Sequence, residues 1–240
     1  NNSVLYLLLP YWVAEGGKKA MLEKLKDPEV KEKVVREMRG NNYDYNKIYI
    51  SFSPMDQASV GKSIVEIAKN QGVSIEEALI NVVVASQGQT SVITHAINFD
   101  HMKYLAMHPN SIITSDGVGY NDQHARGAHY VHPRSYGTFP RFLRLVLDRE
   151  IPLTLEQAVS KISGLPAKLY NLRKRGVIRE GFAADLTIFN SSSLVSPASF
   201  DNPLVYPKGI EWVIINGKVS VEQSEYVDSS NGVVLSHQRN

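Results

Sequence analysis

Residues 108–141 read HPNSIITSDGVGYNDQHARGAHYVHPRSYGTFPR. The run Ser111–Ser115 has little polar alternation, which predicts a short strand buried on both faces. Asp116 follows it directly, at the strand end where parallel α/β folds collect ligands and catalytic groups. Asp-Gly is also an ordinary turn dipeptide, so a catalytic and a structural reading of Asp116 both stand at this point. The loop that follows carries His124, His129 and His132. Their spacing fits neither an i, i+4 helical pair nor a zinc finger, so they are a weak metal motif. Arg134 sits in His-Pro-Arg, where Pro133 restricts His132. Its guanidinium suits a carboxylate gripped through two hydrogen bonds; a surface ion pair is the plainer reading.

Upstream, residues 15–39 place Met21, Leu22, Leu25, Val30, Val34 and Met38 at helical spacing, as one helix or as two broken at Pro28. Residues 46–53 predict a strand. Residues 61–72 predict a helix closed by Gly72. Residues 74–86 predict a second helix, with Ser74 as N-cap and Glu77 at the capping-box position. A strand over 90–97 and a short helix over 100–108 complete a strand, helix, strand rhythm that argues parallel α/β architecture. Val60-Gly61-Lys62-Ser63 imitates a phosphate-binding loop, but the first glycine of that motif is replaced by Asp56, whose charge repels a phosphate. His95 lies on a strand and is read as structural.

Downstream, helices are expected near 137–149 and over 154–163, the latter capped by Thr154. After about residue 177 the pattern turns to strands, over 184–190 and 209–223, with Asn216-Gly217 as a hairpin signal.

Composition limits the rest. The 240 residues are 43% hydrophobic and 21% charged with a net charge of +2, an ordinary globular balance that gives no case for nucleic acid. No cysteine is present, which excludes disulfides and thiolate ligands within the chain. The longest apolar run, from Val4 to Ala14, is interrupted by Pro10, too short for a bilayer span and unlike a signal peptide. A cytoplasmic protein with no membrane partner is the expectation.

The order LPYWVAEGG, VGKSIVEIA, HPNSIITSDG, HPRSYGTFPRFL, LTLEQAVSKISGLPAKLYNL, RGVIREGFAADLTIFN and GIEWVIINGK resembles the D-aminoacylase family. These are N-acyl-D-amino-acid deacylases of the metal-dependent amidohydrolase superfamily. The resemblance runs from about residue 7 to 223. It implies an α/β chain: the C-terminal part of a (β/α)8 TIM-type barrel with an inserted α/β subdomain, followed by strands of a small β-sandwich. The implied boundaries are 1–14 for a barrel segment, 15–55 for the insertion, 56–176 for the rest of the barrel and 177–240 for the sandwich. Asp116 matches the family's catalytic aspartate and a possible metal ligand. Arg134 and His132 are implied in substrate binding, with Arg126 and Arg141 as further candidates for the carboxylate. Gly117, Gly119 and Gly127 would let the loop close. The family binds Zn2+, as one or two ions, and its other ligands lie upstream of the matched region. The implied partners are the N-acyl amino acid and the missing N-terminal portion of the fold. The rivals are a non-catalytic relative and an amidohydrolase of cyclic amides.

Overall fold

The computed structural model describes residues 2–119, 131–228 and 230–235. Two compact units result, one built on the residues up to Ile97, the other on Asn98–Gly119 and the residues from Pro133 onward.

The first unit starts with β1 (Asn2–Val4), a 3-10 turn over Leu5–Leu8 and the short α1 (Tyr11–Ala14). The segment 15–39 splits into α2 (Gly17–Lys24) and α3 (Pro28–Met38). Pro28 is the cause: it cannot continue a helix but suits the first turn of a new one. Asp27 caps that turn by accepting from the Glu29 amide at 2.9 Å. β2 (Ile48–Phe52), α4 (Ile64–Gln71), α5 (Ile75–Ala85) and β3 (Ser91–Thr94) follow. The Ser74–Glu77 capping box forms as expected, and a second forms between Ser63 and Glu66. Gly72 closes α4 at φ 66°, the left-handed conformation that favours glycine.

The sheet has the order β1-β3-β2 and both pairings are antiparallel, with Ile50 opposite Val92 and Ser3 opposite Val92 on the other side. This corrects the parallel expectation. One helix between two strands returns the chain to its starting edge; the two helices α4 and α5 reverse it twice, so β3 enters against β2. Met21, Leu25, Val34, Met38, Ile50, Ile64, Leu79 and Val83 are fully buried in one core. Residues of 15–55 and of 64–92 thus share that core.

In the second unit, α6 (Phe99–Met107) is capped by Asn98, which accepts from the amides of Asp100 and His101. Among the described residues that follow are the helices α7 (Arg134–Leu147), α8 (Leu155–Ile162) and α9 (Gly164–Leu169). Thr154 and Gln157 form the capping box of α8. An antiparallel sheet ends the unit: β4 (Leu186–Phe189), β5 (Ile210–Ile215), β6 (Lys218–Glu222) and β7 (Glu225–Tyr226), in that order. The hairpin turns at Asn216-Gly217, with φ of 51° and 79°, as the dipeptide predicts. Arg175 and Asp185 pair beneath this turn, and Asn216 bonds to both.

The second core is smaller. Ile151, Ala158 and Leu194 are fully buried, and Phe142, Leu143 and Val146 nearly so. Beside it runs an open groove of about 910 Å³ whose lining includes Leu143, Val159, Ile178, Leu186, Ile188 and Ile210. Ile178 is 90% exposed there.

Among the described residues, no helix is long and apolar enough to cross a membrane.

Candidate active site around Asp116 and Arg134

Residues 111–119 form no strand. The expectation of a buried strand over Ser111–Ser115 is therefore corrected. A strand needs a neighbour to complete its ladder, and among the described residues no strand pairs with this segment. Its backbone bonds go elsewhere. The Ser111 amide donates to His108 O at 3.0 Å and the Ile113 amide to Lys161 O at 3.1 Å.

The segment still delivers Asp116 to a defined place. Asp116 has φ 45°, a left-handed conformation that aspartate tolerates better than most residues. Its Oδ2 accepts from Arg134 Nη2 at 2.8 Å. The carboxylate side chain is 81% exposed and the guanidinium 21%. An ion pair this open contributes about 0–1 kcal/mol, so its interest is where it puts the two groups, not what it adds to stability.

Two features hold that geometry. The helix expected near 137–149 starts earlier, at Arg134, because Pro133 suits a helix start. Arg134 is thereby fixed on the first turn of α7, and Gly137–Arg141 lie within the helix. Gly117 supplies the second feature. A Cβ there would lie 2.8 Å from Ser135 Cα, closer than atoms approach. Glycine alone lets the turn lie against α7, where the Val118 amide donates to Ser135 Oγ at 3.2 Å.

Of the other candidates, His132 is half-buried in the segment leading to Pro133. His124, His129, Arg126 and Gly127 lie outside the described residues. Gly119 is exposed. His95 lies one residue past the end of β3, not on the strand, and is exposed; its ring meets Tyr49 tilted at 5.3 Å, and partial burial pulls its pKa below the usual value. The Gly61-Lys62-Ser63 stretch is a helix start: the Ser63 hydroxyl caps α4, and Gly61 donates to Ile50 O.

Among the described residues no group of three His, Cys, Asp or Glu converges as a metal site. Zinc takes three or four protein donors, so Asp116 and its described surroundings do not fit zinc by themselves.

Sequence reasoning missed Lys161. It is 4% exposed, and its ammonium donates to His108 O, Ser111 O and Ser111 Oγ. A signal was present: Lys161 stands three residues after Ala158, on the apolar stripe of α8.

The sequence model of the amidohydrolase family matches residues 120–221. The N-acyl-D-aspartate deacylase of Alcaligenes xylosoxydans xylosoxydans is 29% identical over 173 residues, 72% of this chain and 32% of that protein. A crystal structure of N-acyl-D-glutamate deacylase from Bordetella bronchiseptica, complexed with zinc and a phosphonate inhibitor, superposes with a TM-score of 0.64 at 28% identity. It covers 73% of this chain and 35% of that one. The chain is similar, over these residues, to D-aminoacylases and to the amidohydrolase family. A crystal structure of D-aminoacylase itself gives a TM-score of 0.67 at 27% identity, over 77% of this chain and 36% of that one. The chain spans about a third of the length of the relatives it matches.

Proposed function

We propose that this chain belongs to a hydrolase that cleaves the amide bond of N-acyl-D-amino acids, releasing a D-amino acid and a carboxylate. The observation that carries the reading is the approach of Arg134 to Asp116, at 2.8 Å. In an N-acyl amino acid the α-carboxylate lies only three bonds from the scissile carbonyl carbon. A site for such a molecule needs a cation close to its acid–base group, and this pair has that form.

The substrate's carboxylate competes with Asp116 for the guanidinium, whose planar fork matches it through two hydrogen bonds. Asp116, released, takes a proton from the attacking water and passes it to the leaving amine nitrogen. His132 is assigned to the substrate, on its family match alone. The Zn2+ of the family, as one or two ions, belongs to this reading, supported by the zinc in the Bordetella relative. The described residues alone supply too few donors for it.

The finer architecture is part of the same proposal: the closing segments of a (β/α)8 barrel, an inserted subdomain and sandwich strands over 177–240. The shared core of residues 5–92 supports carrying the insertion past residue 55, to about 97. The apolar groove beside β4 supports a seat for the remainder of the fold. A cytoplasmic setting is assigned with the activity.

The test is hydrolysis of N-acetyl-D-glutamate, N-acetyl-D-aspartate and a neutral N-acetyl-D-amino acid by the full natural protein carrying this sequence. Release of acetate from a D-isomer, with the L-isomer spared, is the expected result. No hydrolysis of any of the three overturns the reading.

A further inference from the structure

We infer that Lys161 is a positioning residue for Asp116, acting through the segment that leads to the carboxylate. The inference rests on the deacylase reading above.

The burial of Lys161 carries a cost. Lys161 is nearly fully buried on a helix whose neighbouring face is apolar, with Ala158 at 0% exposure. Burying an ammonium is expensive unless its protons are all bonded. Here each of the three has an oxygen: His108 O at 2.5 Å, Ser111 O at 3.0 Å and Ser111 Oγ at 3.1 Å. Methionine would fill the same space without the penalty, so the charge has a use.

Its acceptors identify that use. His108 is the C-cap of α6, where a cation meets the negative end of the helix dipole. Ser111 opens the segment that runs to Asp116. The backbone carbonyl of Lys161 takes the Ile113 amide at 3.1 Å. One residue of α8 therefore holds positions 108, 111 and 113 of a segment with no ladder of its own, three residues before Asp116. At the far end the turn rests on Ser135 through Gly117 and Val118. Asp116 is suspended between these two anchors.

Two measurements decide this. The first is amide hydrogen exchange on the chain. Lys161→Met is expected to speed exchange at Ile113 and across Ser115–Val118 by about tenfold, while Phe142–Val146 in α7 keep wild-type protection. The second is kinetics on the full natural protein with N-acetyl-D-glutamate. Lys161→Met is expected to lower kcat by about 10- to 100-fold with KM within about twofold, the scale of a catalytic group displaced by a distant change. In an Asp116→Asn background the same substitution costs nothing further, because its effect runs through Asp116.

A folded Lys161→Met with wild-type exchange over 113–118, or kinetic losses that add in the two backgrounds, overturns the inference. If Lys161→Met does not fold, Ser111→Ala carries the test, since it deletes one acceptor and leaves the lysine. Wild-type exchange over 113–118 in that variant also overturns it. Asp116→Asn with unchanged kcat defeats the deacylase reading instead, and the exchange result still decides the clamp.

Discussion

Up to Ile97, apolar residues from α1 to α5 and from β2 and β3 reach 0% exposure around one sheet. From Asn98 onward the core is thin, and Ile178, Val177 and Ile188 stand 90%, 52% and 46% exposed beside a wide groove. The unit that closes best on itself is not the one that holds the Asp116–Arg134 pair. A carboxylate proposed to act on a substrate must stay open to water, and an exposed apolar groove stays open until something of the right shape covers it. In the first unit burial decides the fold; in the second, polar anchors do.

The largest effect that separates the two is on turnover. Asp116→Asn is expected to cut kcat by about 10²- to 10⁴-fold, the usual worth of a general acid–base group. Its urea midpoint should stay at the wild-type value, since the side chain is 81% exposed. A large stability loss instead would make Asp116 a structural residue like those of the first unit.

Next come paired truncations. Leu79→Ala, in the first core at 0% exposure, is expected to cost about 2–5 kcal/mol in urea unfolding. Ile178→Ala, in the groove, is expected to cost less than about 0.5 kcal/mol. Equal costs would erase the contrast and mean that the groove is filled in solution.

A smaller effect concerns binding. Arg134→Lys keeps the charge and loses the fork, and is expected to cost about 1.5–3 kcal/mol in kcat/KM. The preference for a free α-carboxylate over its methyl ester should fall with it. If both stay at wild type, Arg126 or Arg141 is the carboxylate's partner.

The smallest lies in the caps of the first unit. Ser63→Ala is expected to cost about 1 kcal/mol. Hydrogen bonds from Ser63 and Ser74 hold the Glu66 and Glu77 carboxyls below their usual pKa. A depressed folded pKa gives stability that is complete above the unfolded value, near 4.5, and is lost as pH falls through the folded one. Glu66→Gln and Glu77→Gln should each flatten the urea midpoint against pH below that value. Unchanged slopes would remove the boxes from the acid response.

What could be read without coordinates is what short-range chemistry decides. Ser74 with Glu77, Thr154 before α8, Gly72 and Asn216-Gly217 each announce their own geometry within a few residues. Strand direction is misread, although both intervening helices are legible, when the segment is counted as a single strand, helix, strand unit, because two helices reverse the chain once more than one does. Ser111–Ser115 has the composition of a buried strand, yet a ladder is a property of two segments. Asp116 was legible as a candidate from its neighbours and the family pattern. Its contact with Arg134, eighteen positions away, depends on a close approach that only Gly117 permits. Lys161 was hidden because lysine is ordinarily a surface residue, and only three backbone and hydroxyl oxygens from elsewhere in the chain make its burial tolerable.

The hairpin at Asn216-Gly217 has a consequence for chemical ageing. Asn-Gly is the dipeptide most prone to deamidation, in which the glycine nitrogen attacks the asparagine side-chain carbonyl to close a succinimide. Here the Gly217 amide donates to Ala184 O at 2.9 Å. The Asn216 side chain is engaged at both ends, accepting from Arg175 at 2.9 Å and donating to Asn231 O at 2.8 Å. Ring closure must break all three bonds, so the folded sheet protects its own weakest link. The rate at which isoaspartate accumulates at position 216 in storage becomes a clock for how often this sheet opens.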